Sequence, residues 1–449
     1  MATAPQLRFY TARDIDALPQ LQALPAVQRL DMKAVATVLP FRVNRYVIEQ
    51  LIDWSNIPAD PIFQLTFPQR GMLREPDFKL MRELIAKGAP QAEIQAAAEK
   101  VQRSLNPHPS GQINLNVPLD PQGKRIPGMQ HKYRETVLFF PMAGQTCHSY
   151  CQYCFRWAQF VGLQDLKFAA REAEQLVEYL KRHKEVTSVL FTGGDPMVMG
   201  TPVLRRYLEP LLGKGLEHIQ SIRIGTKAPA YWPYRYTSDA DADDLLRLHE
   251  QVQASGRTMA LMVHYCHPRE LQTEAAQAAL KRIRDSGAEV RCQAPLIRHI
   301  NDDAETWREL WDLEVRLGAH PYYMFVERDT GARGYFELPL VKAYEIYSRA
   351  YRSVTGLART VRGPVMSCMP GKVLVDDVTE VNGEPVIVLK MIQGRNPEWV
   401  NRTFMAKRDD KATWLDQLQP AGKPWFFGDE LQQMIESGNA RPWERVQAR

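Results

Sequence analysis

Three of the chain's six cysteines fall within eight residues: Cys147, Cys151 and Cys154, spaced C-x3-C-x2-C with Tyr153 just before the third. Thiolates this close in sequence can converge on one soft metal centre, and iron–sulfur clusters are held by cysteines in such runs. A structural zinc ion wants a fourth ligand at comparable spacing. No later Cys-x-x-Cys or His-x3–5-His pair supplies one, and Cys266, Cys292 and Cys368 stand alone. Three cysteines on a four-iron cluster leave one iron open, and an open iron is a place for chemistry. The bland alternative, three cysteines meeting by chance in a loop, runs against the rarity of the residue.

A site of this kind needs a scaffold. At 449 residues the chain exceeds what one core usually holds, so two or three units are expected. Its 45% hydrophobic and 24% charged residues are ordinary for a globular enzyme. The net charge of +5 is mild and its basic residues are scattered, which argues against nucleic acid and slightly favours acidic small substrates. Met1 to Gln6 carry no basic and apolar leader pattern, and nowhere do about 18 apolar residues run together, so neither secretion nor a membrane span is expected. Six cysteines in so long a chain do not form a disulfide framework, which points to a reducing cytoplasm.

Residues 1–110 read as a helical region. Leu80, Met81, Leu84 and Ile85 recur at helical spacing, as do Ile94, Ala97, Ala98 and Val101. Asn106 to Gly128, rich in Pro, Asn, Gly and Asp, reads as a linker. From 111 to 355 strands and helices alternate. Strands are expected at 136–141, 187–192, 220–226, 258–265, 289–296 and 320–326. Helices are expected at 169–183, 202–213, 239–254, 271–285, 303–317 and 340–354. Six strands each followed by a helix predict a parallel α/β unit, closed by right-handed crossovers into a partial (β/α)6 TIM-like barrel; an open doubly wound sheet is the rival. Residues 356–449 read as a small β-rich extension with a strand at 359–366.

In such barrels the working groups follow the strands. Here the cysteines follow strand one, Gly193-Gly194-Asp195-Pro196 strand two, His264 to His267 strand four, Arg298 to Asp302 strand five, and Glu327 with Arg328 strand six. Five chemically loaded stretches on one rim favour the barrel. Two glycines at a strand end let backbone approach a ligand closely, although Gly-Gly-Asp alone is also an ordinary turn.

The triplet resembles the C-x3-C-x-(aromatic)-C hallmark of the radical S-adenosylmethionine (SAM) superfamily. The resemblance implies a [4Fe–4S] cluster on Cys147, Cys151 and Cys154 whose open iron binds the amino and carboxylate groups of SAM. Electron transfer then cleaves SAM to a 5′-deoxyadenosyl radical that abstracts hydrogen from the substrate. Gly193, Gly194 and Asp195, beginning 39 positions after Cys154, are similar to the loop that receives the SAM amino group. Pro127-Gly128-Met129-Gln130-His131-Lys132-Tyr133, Leu190 to Asp195, Arg223 to Thr226, His264 to Pro268, QAPLIRHIND at 293–302 and Pro321-Tyr322-Tyr323 narrow the likeness. In order and spacing they resemble the lysine 2,3-aminomutase family over about residues 125–375.

That likeness implies an isomerase that adds pyridoxal 5′-phosphate (PLP) to the SAM radical and moves an amino group from Cα to Cβ of an amino acid. It assigns Lys372 to the Schiff base with PLP, Arg156 to the substrate α-carboxylate, and Asp302 to a distal substrate amine. Lys132, with a weaker case for Arg134, is assigned to the PLP phosphate, and His264, Gln293 and Arg298 to cofactor binding. Each has a plainer alternative: Lys372 a solvated turn lysine, Arg156 a surface arginine, Asp302 a helix N-cap. The implied partners are a small amino acid and a reductant such as flavodoxin or ferredoxin; a homo-oligomer is compatible.

The sequence also departs from the family. Where the lysine-acting members carry D-A-P-G-G-G-G-K, this chain has Val365-Met366-Ser367-Cys368-Met369-Pro370-Gly371-Lys372, so Val365 stands for an acid. Tyr335-Phe336-Glu337 replaces H-F-R, and no cysteine follows Cys368. Lysine is therefore expected to be a poor substrate. Two alternatives stay open: a PLP-independent radical SAM enzyme abstracting hydrogen from a peptide or metabolite, and a non-enzymatic cluster or zinc protein.

Overall fold

The computed structural model describes residues 5–170 and 173–445. Met1 to Ala4 of the expected leaderless start, and residues 171–172 of the expected helix at 169–183, lie outside them.

Near the N-terminus, β1 (Phe9–Thr11) pairs antiparallel with β2 (Arg42–Asn44). Helices follow at Ala26–Val38, Pro61–Thr66, Glu75–Ala86 and Gln91–Ser104, and the first, third and fourth of these pack on one another. The helix over Glu75–Ala86 buries Phe78 and Met81 and leaves Leu80 exposed. The inward stripe is Phe78, Met81 and Ile85, so Met81 and Ile85 face the core as the sequence pattern suggests, whereas Phe78 takes the place expected for Leu80.

The rest of the molecule is built on one sheet. It comprises β3 (Met129–Tyr133), β4 (Thr136–Phe139), β5 (Ser188–Phe191), β6 (Ser221–Thr226), β7 (Thr258–His264), β8 (Glu289–Leu296), β9 (His320–Val326), β10 (Arg362–Ser367), β11 (Gly371–Val381), β12 (Glu384–Gly394) and β13 (Thr403–Lys407). Neighbours in space follow neighbours in sequence from β3 to β13. Strands β4 to β10 run parallel; β3, β11, β12 and β13 join antiparallel. The six parallel strands and their helices fall where the alternation places them. The strand expected at 359–366 is β10, a seventh parallel strand. It continues the same sheet because the helix Leu340–Arg352 carries the chain back just as the earlier helices do.

The two-residue period of a strand explains why this sheet holds a cavity. Val137, Val189, Ile222 and Met259 lie side by side across β4 to β7 and are buried on the helix-covered face. The alternate residues Leu138, Leu190 and Arg223 point the other way, into a cavity of about 320 Å³. The helices supply the matching period. Glu274–Asp285 buries Ala276, Ala279, Leu280 and Ile283 along one stripe, and Thr273 caps its first turn by accepting from the Ala276 N–H. One apolar core runs from Ile15 to Val361 and joins the N-terminal helices to the barrel. A second lies under β10 to β13 and gathers Trp399, Trp414 and Phe427. No helix among the described residues is long and apolar enough to cross a membrane.

Candidate active site

The cysteine loop leaves β4 and is held from outside by the N-terminal region. The Tyr150 N–H donates to the Arg42 carbonyl and the Gln152 N–H to that of Leu65, both at 2.8 Å. Asn44 is buried; its amide donates to the carbonyls of His148 (3.0 Å) and Tyr231 (2.7 Å), and its backbone N–H donates to Ser149 Oγ. So fixed, Cys147, Cys151 and Cys154 are half-buried, and all three line the cavity. The Arg156 N–H donates to Cys154 Sγ at 3.4 Å, and the Tyr231 hydroxyl stands 3.3 Å from Cys151 Sγ.

Burial raises all three thiols: Cys147 far above its usual value, Cys151 to about 12, Cys154 to about 11. Negative neighbours add to this, Asp195 at Cys147 and Glu327 at Cys154. Such thiols ionise only when a cation meets them, and a coordinated thiol loses its proton outright. Three soft donors facing one cavity match an iron–sulfur cluster in kind.

The glycine loop packs directly on the cysteine loop. A Cβ on Gly194 would stand 2.4 Å from the Thr146 carbonyl oxygen, and Gly193 has φ +143° against the Gln145 side chain. The Asp195 N–H donates to Thr146 O at 2.6 Å. Its carboxylate accepts from Thr226 Oγ1 (2.7 Å), the Lys227 N–H (2.8 Å) and the Met197 N–H (2.9 Å). Asp195 therefore ties the ends of β5 and β6 together, and its carboxylate is engaged by the protein itself.

At the ends of β7 and β8, the Gln293 amide donates to His264 Nε2 at 2.8 Å. Burial and the nearby Lys227 push His264 down to about 3, so it is a neutral hydrogen-bonding group. Lys227 is locked to Glu270 at 2.6 Å.

On the opposite wall, Lys372 stands in register with Ser367 of β10 and Gln393 of β12. Its ammonium lies 4.6 Å from the Tyr323 ring centre and 5.8 Å from that of Tyr133. Burial, with Arg223, Arg362 and Arg328 around it, pushes it down to about 7. Lys132 donates to the Cys368 carbonyl and is also pushed far down, by burial and then Arg395. Arg156 stacks its guanidinium 3.8 Å above the Phe140 ring, and burial lowers it to about 9.

The cavity thus brings together Cys147, Cys151, Cys154, Arg156, Gly193, Gly194, Asp195, His264, Gln293, Lys132 and Lys372. Three expected residues stay out. Asp302 is exposed in an outer groove beside Lys342 and Arg349. The turn after β8 is pinned by buried Asn301, which donates to Cys266 O and Pro295 O; the next residue therefore points outward. Asp302 is not the helix cap either: Asp303 accepts from the Thr306 N–H. Arg298 donates to the Glu337 carbonyl and braces the 333–337 turn. Arg134 pairs with Glu135 on the surface. In their place the fold supplies Arg223, Arg328, Glu327 and Tyr133. The sequence places Glu327 and Arg328 after strand six and Tyr133 and Arg223 within the family-like stretches, but gives none of the four a role.

Sequence comparison is consistent with this architecture. The chain is 29% identical over 397 residues to a putative L-lysine 2,3-aminomutase of Aquifex aeolicus, covering 88% of this chain and 92% of that one. It is 27% identical over 221 residues to the L-lysine 2,3-aminomutase of Clostridium subterminale, covering 49% of this chain and half the length of that enzyme. No protein-family profile matches the chain. Among solved structures, a radical SAM methyltransferase from Sphaerobacter thermophilus aligns over 65% of this chain and 93% of its own, at 15% identity and TM-score 0.36. By sequence the chain is a divergent relative of proteins named L-lysine 2,3-aminomutase.

Proposed function

We propose that the protein is a PLP-dependent amino acid 2,3-aminomutase working in a reducing cytoplasm with a one-electron donor of the flavodoxin or ferredoxin type. The observation that carries this reading is Lys372: a half-buried lysine brought to about 7, facing the same cavity as the three cysteines. At neutral pH much of its amine is unprotonated and able to attack an aldehyde.

The surroundings suit PLP. Buried Arg223 Nε, Arg328 Nε and the Tyr133 hydroxyl lack protein partners, leaving donors for a phosphate or carboxylate, and Tyr323 and Phe325 offer ring faces beside the lysine. When bound, PLP would supply a ring that delocalises an unpaired electron during nitrogen migration.

The chain's own part is positioning. Cys147, Cys151 and Cys154 would hold a [4Fe–4S] cluster with one iron open to SAM. The backbone at Gly193 and Gly194, together with His264 and Gln293, would orient SAM. Arg156 would hold the substrate α-carboxylate, and Lys132 with Tyr133 the phosphate. The aromatic walls would keep water from the radical. Reconstituted, reduced protein incubated with SAM, PLP and a panel of α-amino acids should yield a β-amino acid. SAM cleavage with no β-product from any amino acid would instead favour PLP-independent hydrogen abstraction.

A further inference from the structure

The cavity carries more positive charge than its own walls balance. Arg156, Arg223 and Arg328 line it, and none has an ion-pair partner among the described residues; Lys132 and Lys372 also line it, but burial drives both toward the neutral amine. Lys227, by contrast, is paired with Glu270. Of the two carboxylates on the wall, Asp195 is engaged by protein donors, and only Glu327, with one buried oxygen unpartnered, remains. Arg156 Nε, Arg223 Nε and Arg328 Nε are likewise buried without an acceptor. Uncompensated buried charge is costly, so such a wall is completed by anions brought with the ligands. A phosphate and one α-carboxylate do not satisfy all of it.

Arg328 is the cation left over. Its Nη2 donates to the Ser367 carbonyl at 2.8 Å, which fixes the guanidinium in place, yet Nε has no partner. Its guanidinium carbon lies 4.8 Å from the Phe155 ring centre, and that of Arg156 lies 5.8 Å from the same ring. Two guanidinium groups near one aromatic ring suit a short molecule with a carboxylate at each end.

We infer that the substrate is an α-amino acid bearing a second, side-chain carboxylate, of the aspartate–glutamate class, with Arg156 gripping the α-carboxylate and Arg328 the distal one. This rests on the amino-acid reading proposed above. It assigns Arg328 a specificity role and leaves a distal ammonium no partner but Glu327, which Arg328 adjoins.

The test is calorimetric binding to the protein reconstituted with cluster, SAM and PLP, using L-aspartate, L-glutamate, L-glutamine and L-lysine. One of the two acids should bind roughly ten- to hundredfold tighter than glutamine or lysine, the loss expected when a charge-assisted pair is removed. Arg328→Gln should abolish that preference, so that the acid-to-glutamine affinity ratio falls to about one, and Arg328→Lys should keep part of it. Lysine or glutamine binding as tightly as the better acid overturns the inference, as does an acid preference intact in Arg328→Gln. Should Arg328→Gln not fold, as judged by circular dichroism and iron content, the wild-type ratios and Arg328→Lys decide. Product analysis separates the two readings. Acid preference without any β-amino acid retires the aminomutase reading and keeps this one; β-lysine as the main product does the reverse.

Discussion

At the scale of single residues, the cavity divides its cysteines cleanly. Cys147, Cys151 and Cys154 face it, whereas Cys266, Cys292 and Cys368 are buried in the cores. Cys151→Ala should therefore lose bound iron and sulfide along with reductive SAM cleavage, and alanine at Cys266, Cys292 or Cys368 should retain the cluster's absorbance. Lys372 allows a sharper test. The groups facing it are Arg223 on β6, Arg328 after β9, Arg362 on β10, Lys132 and Tyr133 on β3, and Tyr323 on β9. Burial and the surrounding positive charge both disfavour its protonated form, so the reactive amine should grow as pH rises through about 7 and level off well below the ordinary lysine value of 10.5. Borohydride trapping of PLP-loaded protein, followed across pH with peptide mapping, should place the label on Lys372 with that midpoint. A label on another lysine, or a yield still climbing near pH 10, would remove Lys372 from the role.

At the scale of elements, the site depends on two loops pressed together and on a clamp from outside the barrel. Gly194 has no room for a side chain because the Thr146 backbone occupies the place of a Cβ. Gly194→Ala touches none of the three cysteines, yet it should displace the cysteine loop and cut iron incorporation sharply. Normal iron content in that variant would mean the loops yield more easily than their packing implies. Asn44 is the clamp: its amide serves two carbonyls and its Oδ1 accepts from the Val47 N–H. Asn44→Ala would strand these buried groups at about 1–3 kcal/mol each. Its melting temperature should fall by several degrees and its cluster should be lost to a chelator faster than in the wild type.

At the scale of the whole molecule, one sheet from β3 to β13 carries both the cysteine loop and Lys372, and one core reaches from Ile15 to Val361. The N-terminal helices, the barrel and the C-terminal hairpins thus share strand pairing or buried surface. Calorimetry of the full chain should show a single cooperative transition; two well-separated transitions would mean that the hairpins around β11 and β12 fold as an independent unit.

Much of this was legible along the chain because it is local. The cysteine spacing is a property of eight residues. Strand periods place β8 and β9 at the residues where they occur, since Val290, Cys292 and Ala294 alternate with Glu289, Arg291 and Gln293 in β8, and Tyr322 to Val326 form an aromatic and apolar run in β9. The alternation of such segments implied the barrel, and the barrel implied that residues after strands would matter. What the sequence could not settle is which of two neighbouring polar residues faces inward. Lys132 lines the cavity while Arg134, two residues on and past the end of β3, lies on the surface. Asn301 turns in and Asp302 out, because Asn301 bonds to carbonyls of Cys266 and Pro295, the first in a separate loop. The same holds for Asn44, whose role exists only because the fold brings it against His148 and Tyr231, far away in the chain. Short-range patterns determined the elements and the cluster ligands; long-range packing decided which charges meet in the cavity, because which strand faces and loop ends converge there depends on partners distant in sequence.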